Sequence, residues 1–102
     1  MARPRTDLHD ILKGLDGVEA AYFQPKQNTS LTYPCIVYSR DNSYAARADD
    51  VLYWHKKRYQ VTVIDRNPDG PIPDQVERLP LTRFDRFYVA DGLNHYSYIL
   101  FF

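Results

Sequence analysis

Lys57-Arg58-Tyr59-Gln60-Val61-Thr62-Val63-Ile64 is the stretch that decides how this chain folds. In an extended backbone successive side chains point to opposite sides. Tyr59, Val61 and Val63 then share one face, while Arg58, Gln60 and Thr62 share the other. An apolar face alternating with a polar one marks a half-buried strand of an antiparallel sheet.

Downstream, Asp65 to Pro71 holds Asn-Pro and Asp-Gly, which punctuate a sharp turn. Pro73 and Asp74 open a short helix to Leu79, with Pro73 in the first turn, Val76 and Leu79 as apolar contacts and Pro80 as the stop. Arg83–Ala90 and His95–Phe102 then read as a hairpin around Asp91-Gly92-Leu93-Asn94. A loop of even length sets odd residues of the first strand opposite even residues of the second. Phe87, Val89, Tyr96, Tyr98, Leu100 and Phe102 would share a face, which is apolar enough to be the core side. Arg86, Tyr88, His95 and Ser97 would face the other way.

Upstream, Tyr33–Ser39 is a second strand, and Pro34 places it at a sheet edge or at a strand beginning. Val18–Phe23 is a further strand, stopped by Pro25. Leu8, Ile11, Leu12 and Leu15 recur at helical spacing, predicting a helix that starts near Thr6 or Asp7 and ends at Gly14 and Gly17. Residues 1–5 form a loose arm. The order is helix, two strands, long loop, strand, helix, two strands. It predicts a single α+β domain over 1–102, with a mostly antiparallel sheet of five strands and two helices on one face.

Composition narrows the function. Thirteen basic side chains balance thirteen acidic ones. A nucleic-acid binder needs a cationic excess to neutralise phosphates, so sequence-specific nucleic-acid binding is not expected. No run is long enough for a transmembrane helix, and the first residues lack a signal peptide's apolar stretch, so cytoplasmic synthesis is the expectation. The acids are eleven Asp against two Glu, and nine Tyr stand among the aromatics, a bias toward turns and strands.

Catalytic and metal-binding patterns are weak. His9, His55 and His95 lie on different elements and match no zinc spacing with Cys35. Asp65, Asp69 and Asp74 gather near one turn, where Asp is also the natural turn residue. Cys35 sits mid-strand between Pro34 and Ile36, with nothing beside it in sequence to lower its pKa, and reads as a small buried hydrophobe. The four glycines form no phosphate loop. The expectation is a protein without catalytic residues, cofactor or metal. A hydrolase built on the Asp65 turn is the remote alternative.

Residues 41–56 form a long excursion between two confident strands. Loops of that length in small domains usually carry function. This one holds or adjoins Tyr44, Tyr53 and Trp54, and mixes cations with acids. Arg and Tyr suit protein interfaces, where planar groups bury well and bond directionally. Arg40, Tyr44, Arg47, Asp50, Tyr53, Trp54, Lys57 and Arg58 are therefore the candidate subunit contacts.

Three segments in order carry a family resemblance. They are Tyr33-Pro34-Cys35-Ile36-Val37-Tyr38, Lys57-Arg58-Tyr59-Gln60-Val61-Thr62-Val63-Ile64-Asp65-Arg66, and Arg83-Phe84-Asp85-Arg86-Phe87-Tyr88-Val89-Ala90-Asp91-Gly92-Leu93-Asn94-His95. With them the chain resembles the tail terminator, or tail completion, proteins of long-tailed bacteriophages over most of 6–102. The resemblance implies a virion protein forming a ring, usually hexameric, that caps the tail tube, ends its growth and joins tail to head. Implied partners are further copies of the chain, the major tail tube protein and a head-completion or connector protein, with DNA free to pass through the ring. The implied location is the head–tail junction, after assembly in the host cytoplasm. The family has no catalytic residues to carry over. A connector adaptor on the portal side is the alternative within the same class.

Overall fold

The computed structural model describes residues 4–41 and 56–102. Among these, the order of elements is α1 (Arg5–Lys13), β1 (Ala20–Phe23), β2 (Cys35–Arg40), β3 (Arg58–Asp65), α2 (Ile72–Glu77), β4 (Thr82–Ala90) and β5 (Leu93–Phe101). The strands form one sheet in the order β1-β2-β3-β5-β4. β1 runs parallel to β2, and every other neighbouring pair is antiparallel. The α+β class and the mostly antiparallel sheet expected from the sequence are what the chain adopts.

The decisive stretch is the middle strand. Tyr59, Val61 and Val63 pair with Leu100, Tyr98 and Tyr96 of β5 on one side, and Val61 and Val63 with Tyr38 and Ile36 of β2 on the other. These residues make a continuous apolar face, and Leu8 and Leu12 of α1 and Ile72 and Val76 of α2 close over it. Each such fully buried side chain contributes about 1.5–3 kcal/mol relative to exposure. A helix of nine residues is marginal alone, so α1 depends on this seat. Its charges suit the helix dipole, with Asp7 in the first turn and Lys13 in the last.

The opposite face is not left fully polar. Cys35, Ile64, Ser97, Ile99 and Phe101 are buried there. The sequence reads β3 as half-buried, whereas its central place leaves only Gln60 and Thr62 partly open. Thr62 Oγ1 and Ser97 Oγ lie 3.1 Å apart and satisfy one another.

Several expectations are corrected. The helix begins at Arg5, so Pro4 rather than Thr6 or Asp7 precedes its first turn, and Arg5 does not belong to an arm. Arg5 is held from inside: its Nη1 donates to the Tyr38 hydroxyl at 3.1 Å, and its guanidinium lies 4.2 Å from the centre of the Phe23 ring. Pro34 marks the beginning of β2 rather than an edge, because β2 lies between β1 and β3. Ile72, absent from the predicted helix, is a fully buried core residue.

The hairpin holds the largest correction. Its turn is the two residues Asp91-Gly92, both with positive φ (54° and 74°), and Leu93 and Asn94 already belong to β5. Phe87 stands opposite Tyr96, as the parity of the loop requires. Yet Phe87 is 47% exposed and Val89 61%. The expected core face of Phe87, Val89, Tyr96, Tyr98, Leu100 and Phe102 thus holds for Tyr98 and Leu100, and for Tyr96 and Phe102 in part, but fails for Phe87 and Val89. The face is right. β4 is the outermost strand, and the core does not extend over its far half.

Candidate assembly interface

β4 has nine residues and is open along nearly its whole length. Leu81, just before it, and Phe84, Phe87, Tyr88 and Val89 within it are the exposed large hydrophobic residues among those described. An outer strand also presents unpaired backbone N–H and C=O groups, a template for pairing with another chain. The aromatic rings are held in place from β5. Phe84 meets Tyr98 edge-on at 5.6 Å, Phe87 tilts on Tyr96 at 4.9 Å, and Tyr88 stacks on His95 at 4.6 Å.

Charge and irregularity restrain this edge. The pairing with β5 shifts between Phe84 and Arg86, leaving Asp85 as an extra residue. Arg83, Asp85 and Arg86 are exposed, with Arg86 Nε 3.6 Å from Asp85 Oδ2. Bulges and charges are devices that stop an edge from pairing at random. An apolar surface with such devices beside it suits a chosen partner better than general stickiness.

The start of β4 adjoins a second feature. A groove of about 150 Å³ opens among Leu8, Ile11, Leu79, Leu81, Leu100 and Phe102, with Lys56 also on its wall. Leu81 has φ +56°. That left-handed conformation is uncommon for a residue other than glycine, and Asn and Asp are the types enriched there.

The contacts expected from the sequence do not gather in one place among the described residues. Arg40 is exposed at the end of β2, with its guanidinium 5.8 Å from the centre of the Tyr59 ring. Lys57 is exposed just before β3, its backbone bonded both ways to Phe102. Arg58 is only 8% exposed, and its Nε lies 3.2 Å from Asp41 Oδ2 as an ion pair without hydrogen-bond alignment. It is an internal cation in this chain rather than a surface one. Tyr44, Arg47, Asp50, Tyr53 and Trp54 lie outside the described residues.

The sequence reading placed β4 in the core and so missed its exposed residues. A signal was present. Arg83, Asp85 and Arg86 crowd the first half of the strand, and charge at that density belongs to an edge.

The residues weighed for chemistry are apart. His9 Nδ1 lies 2.7 Å from the Tyr38 hydroxyl, while His95 Nδ1 lies 3.1 Å from the Leu93 carbonyl. His55 lies outside the described residues. Burial pushes the Cys35 thiol up to about 11, so it stays protonated at neutral pH. Asp65 is buried and caps its own turn, accepting the Asn67 N–H at 2.9 Å. A Cβ at Gly70 would collide with that carboxylate. Among the described residues, no three His, Cys, Asp or Glu side chains gather as a metal site would require. No described helix is long and apolar enough to cross a membrane.

No family model, curated protein or solved structure matches the chain.

Proposed function

We propose that this chain is a structural subunit that assembles with its own copies into a ring, of the kind that caps a phage tail tube and joins tail to head. The observation that carries the reading is the exposed apolar edge of β4, flanked by charges that restrict what can pair with it. A chain that keeps Phe84, Phe87 and Val89 in water gains by covering them when a neighbour arrives. The sequence resemblance supplies the setting. Its partners are further copies, the major tail tube protein and a head-completion or connector protein, in a virion assembled in the host cytoplasm. No catalytic step enters this reading, and no cofactor is needed for it.

Tail growth requires that the cap not close early. A chain of zero net charge lacks the self-repulsion that keeps copies apart, so its assembly is set by concentration and by seating on a tube. The test is to image tail tubes grown with and without the protein. The expected result is a ring at one tube end and tubes of uniform length. Tubes that grow on past the bound protein, or never bind it, refute the reading.

A further inference from the structure

Phe87, with one side of its ring on Tyr96, and Val89 remain 47% and 61% exposed, while the groove beside Leu81 stands open at the other end of the same strand. The two features fit in size. A cavity of about 150 Å³ lined by aliphatic and aromatic side chains is the volume that takes up a benzene ring, and this groove has that volume and that kind of lining. They cannot meet within one molecule. Phe87 lies six residues beyond Leu81 along an extended strand, which puts it roughly 20 Å away at about 3.3 Å per residue.

Leu81 gives an independent reason to look for an occupant. It is a leucine in a left-handed backbone, 38% exposed. The fold of the single chain would be served better there by Gly, Asn or Asp. Strain of this kind persists where a residue has a further task, and the side chain of Leu81 forms part of the groove wall. Charge agrees. Asp91, at the tip of the hairpin just past Val89, is exposed, and Lys56 lies on the groove wall, with no ion-pair partner among the described residues.

We infer that the groove beside Leu81 receives Phe87 of a second copy of this chain, with Val89 covering its rim and Asp91 reaching Lys56. Knob and groove are different surfaces of one molecule, so the contact is heterologous. Each copy uses its knob on one neighbour and its groove on the other, and the series closes as a ring or continues as a filament, not as a two-fold dimer. This rests on the ring reading above and supplies the surfaces for it.

The test uses two variants of the full chain, Phe87→Asp for the knob and Leu81→Asp for the groove. Asp tolerates the left-handed backbone better than Leu, so the groove variant keeps its fold, and thermal unfolding checks both. Sedimentation at rising concentration should give large assemblies for the wild type and monomer for each variant alone. An equimolar mixture should give a species of two chains and nothing larger, because one intact knob meets one intact groove. Variants that assemble like the wild type, or a mixture that stays monomeric, overturn the inference and leave a ring through another surface open. A wild type that caps tail tubes yet shows no self-association at any concentration overturns it too, while the proposed function stands.

Discussion

β4 and β5 are two strands of one hairpin, equal in length and similarly rich in apolar and aromatic residues, yet they live in different solvents. In β5, every residue from Ser97 to Phe101 is buried. In β4, every residue from Arg83 to Val89 is exposed. β5 is flanked by β3 and β4 and packs its Tyr98 and Leu100 under the helices, whereas β4, among the described strands, has a neighbour on one side alone. Hydrophobic stabilisation follows area removed from water, so one residue type does different work on the two strands. On β5 it holds the fold together. On β4 it is left over for a partner.

The sharpest way to break this comparison is to truncate matched positions. Leu100→Ala should cost about 2–5 kcal/mol, the range for a buried leucine whose site cannot collapse. Denaturant unfolding would measure it, and a loss well under 1 kcal/mol would show that β5 is not the anchor of the hairpin.

A second measurement sharpens the β5 side through pH. Burial pushes the Tyr98 hydroxyl up to about 12, with the Glu77 and Asp74 charges adding to the effect, and the hydroxyl donates to the Pro73 carbonyl at 3.1 Å. Its folded pKa lies above the unfolded value of 10.0. The stability it contributes is therefore complete below pH 10 and is lost as pH rises through 12, by about 3 kcal/mol in all. Tyr98→Phe should flatten that alkaline decline without removing it, because burial also raises Tyr38 and Cys35. Equal alkaline slopes for the two proteins would show that Tyr98 does not carry the effect.

The smallest effects belong to β4. Phe87→Ala should cost about 1 kcal/mol, the share left for a half-covered ring, and Val89→Thr should fall within about 0.5 kcal/mol of the wild type, as surface changes do. Both should nevertheless weaken self-association, read by the concentration at which assemblies appear. A Phe87→Ala loss as large as that of Leu100→Ala would erase the difference between the strands.

The elements of this fold were legible in the sequence because they answer to local stereochemistry. Alternation from Tyr59 to Val63 requires an extended chain, the spacing of Leu8 and Leu12 requires a helix, and Asp91-Gly92 supplies the positive φ of a tight turn. Loop parity put Phe87 on the same face as Tyr96, but a loop of two residues rather than four is what makes the two partners. Strand order was not legible. Whether β4 or β5 lies next to β3 depends on pairing between distant segments, and Phe, Tyr and Val satisfy a buried strand and an interface strand alike. Period-two patterning reports which way a side chain points, not what stands in front of it. Only the tertiary structure, by placing β5 inside and β4 outside, decided that Tyr98 and Leu100 became core while Phe87 and Val89 remained in water.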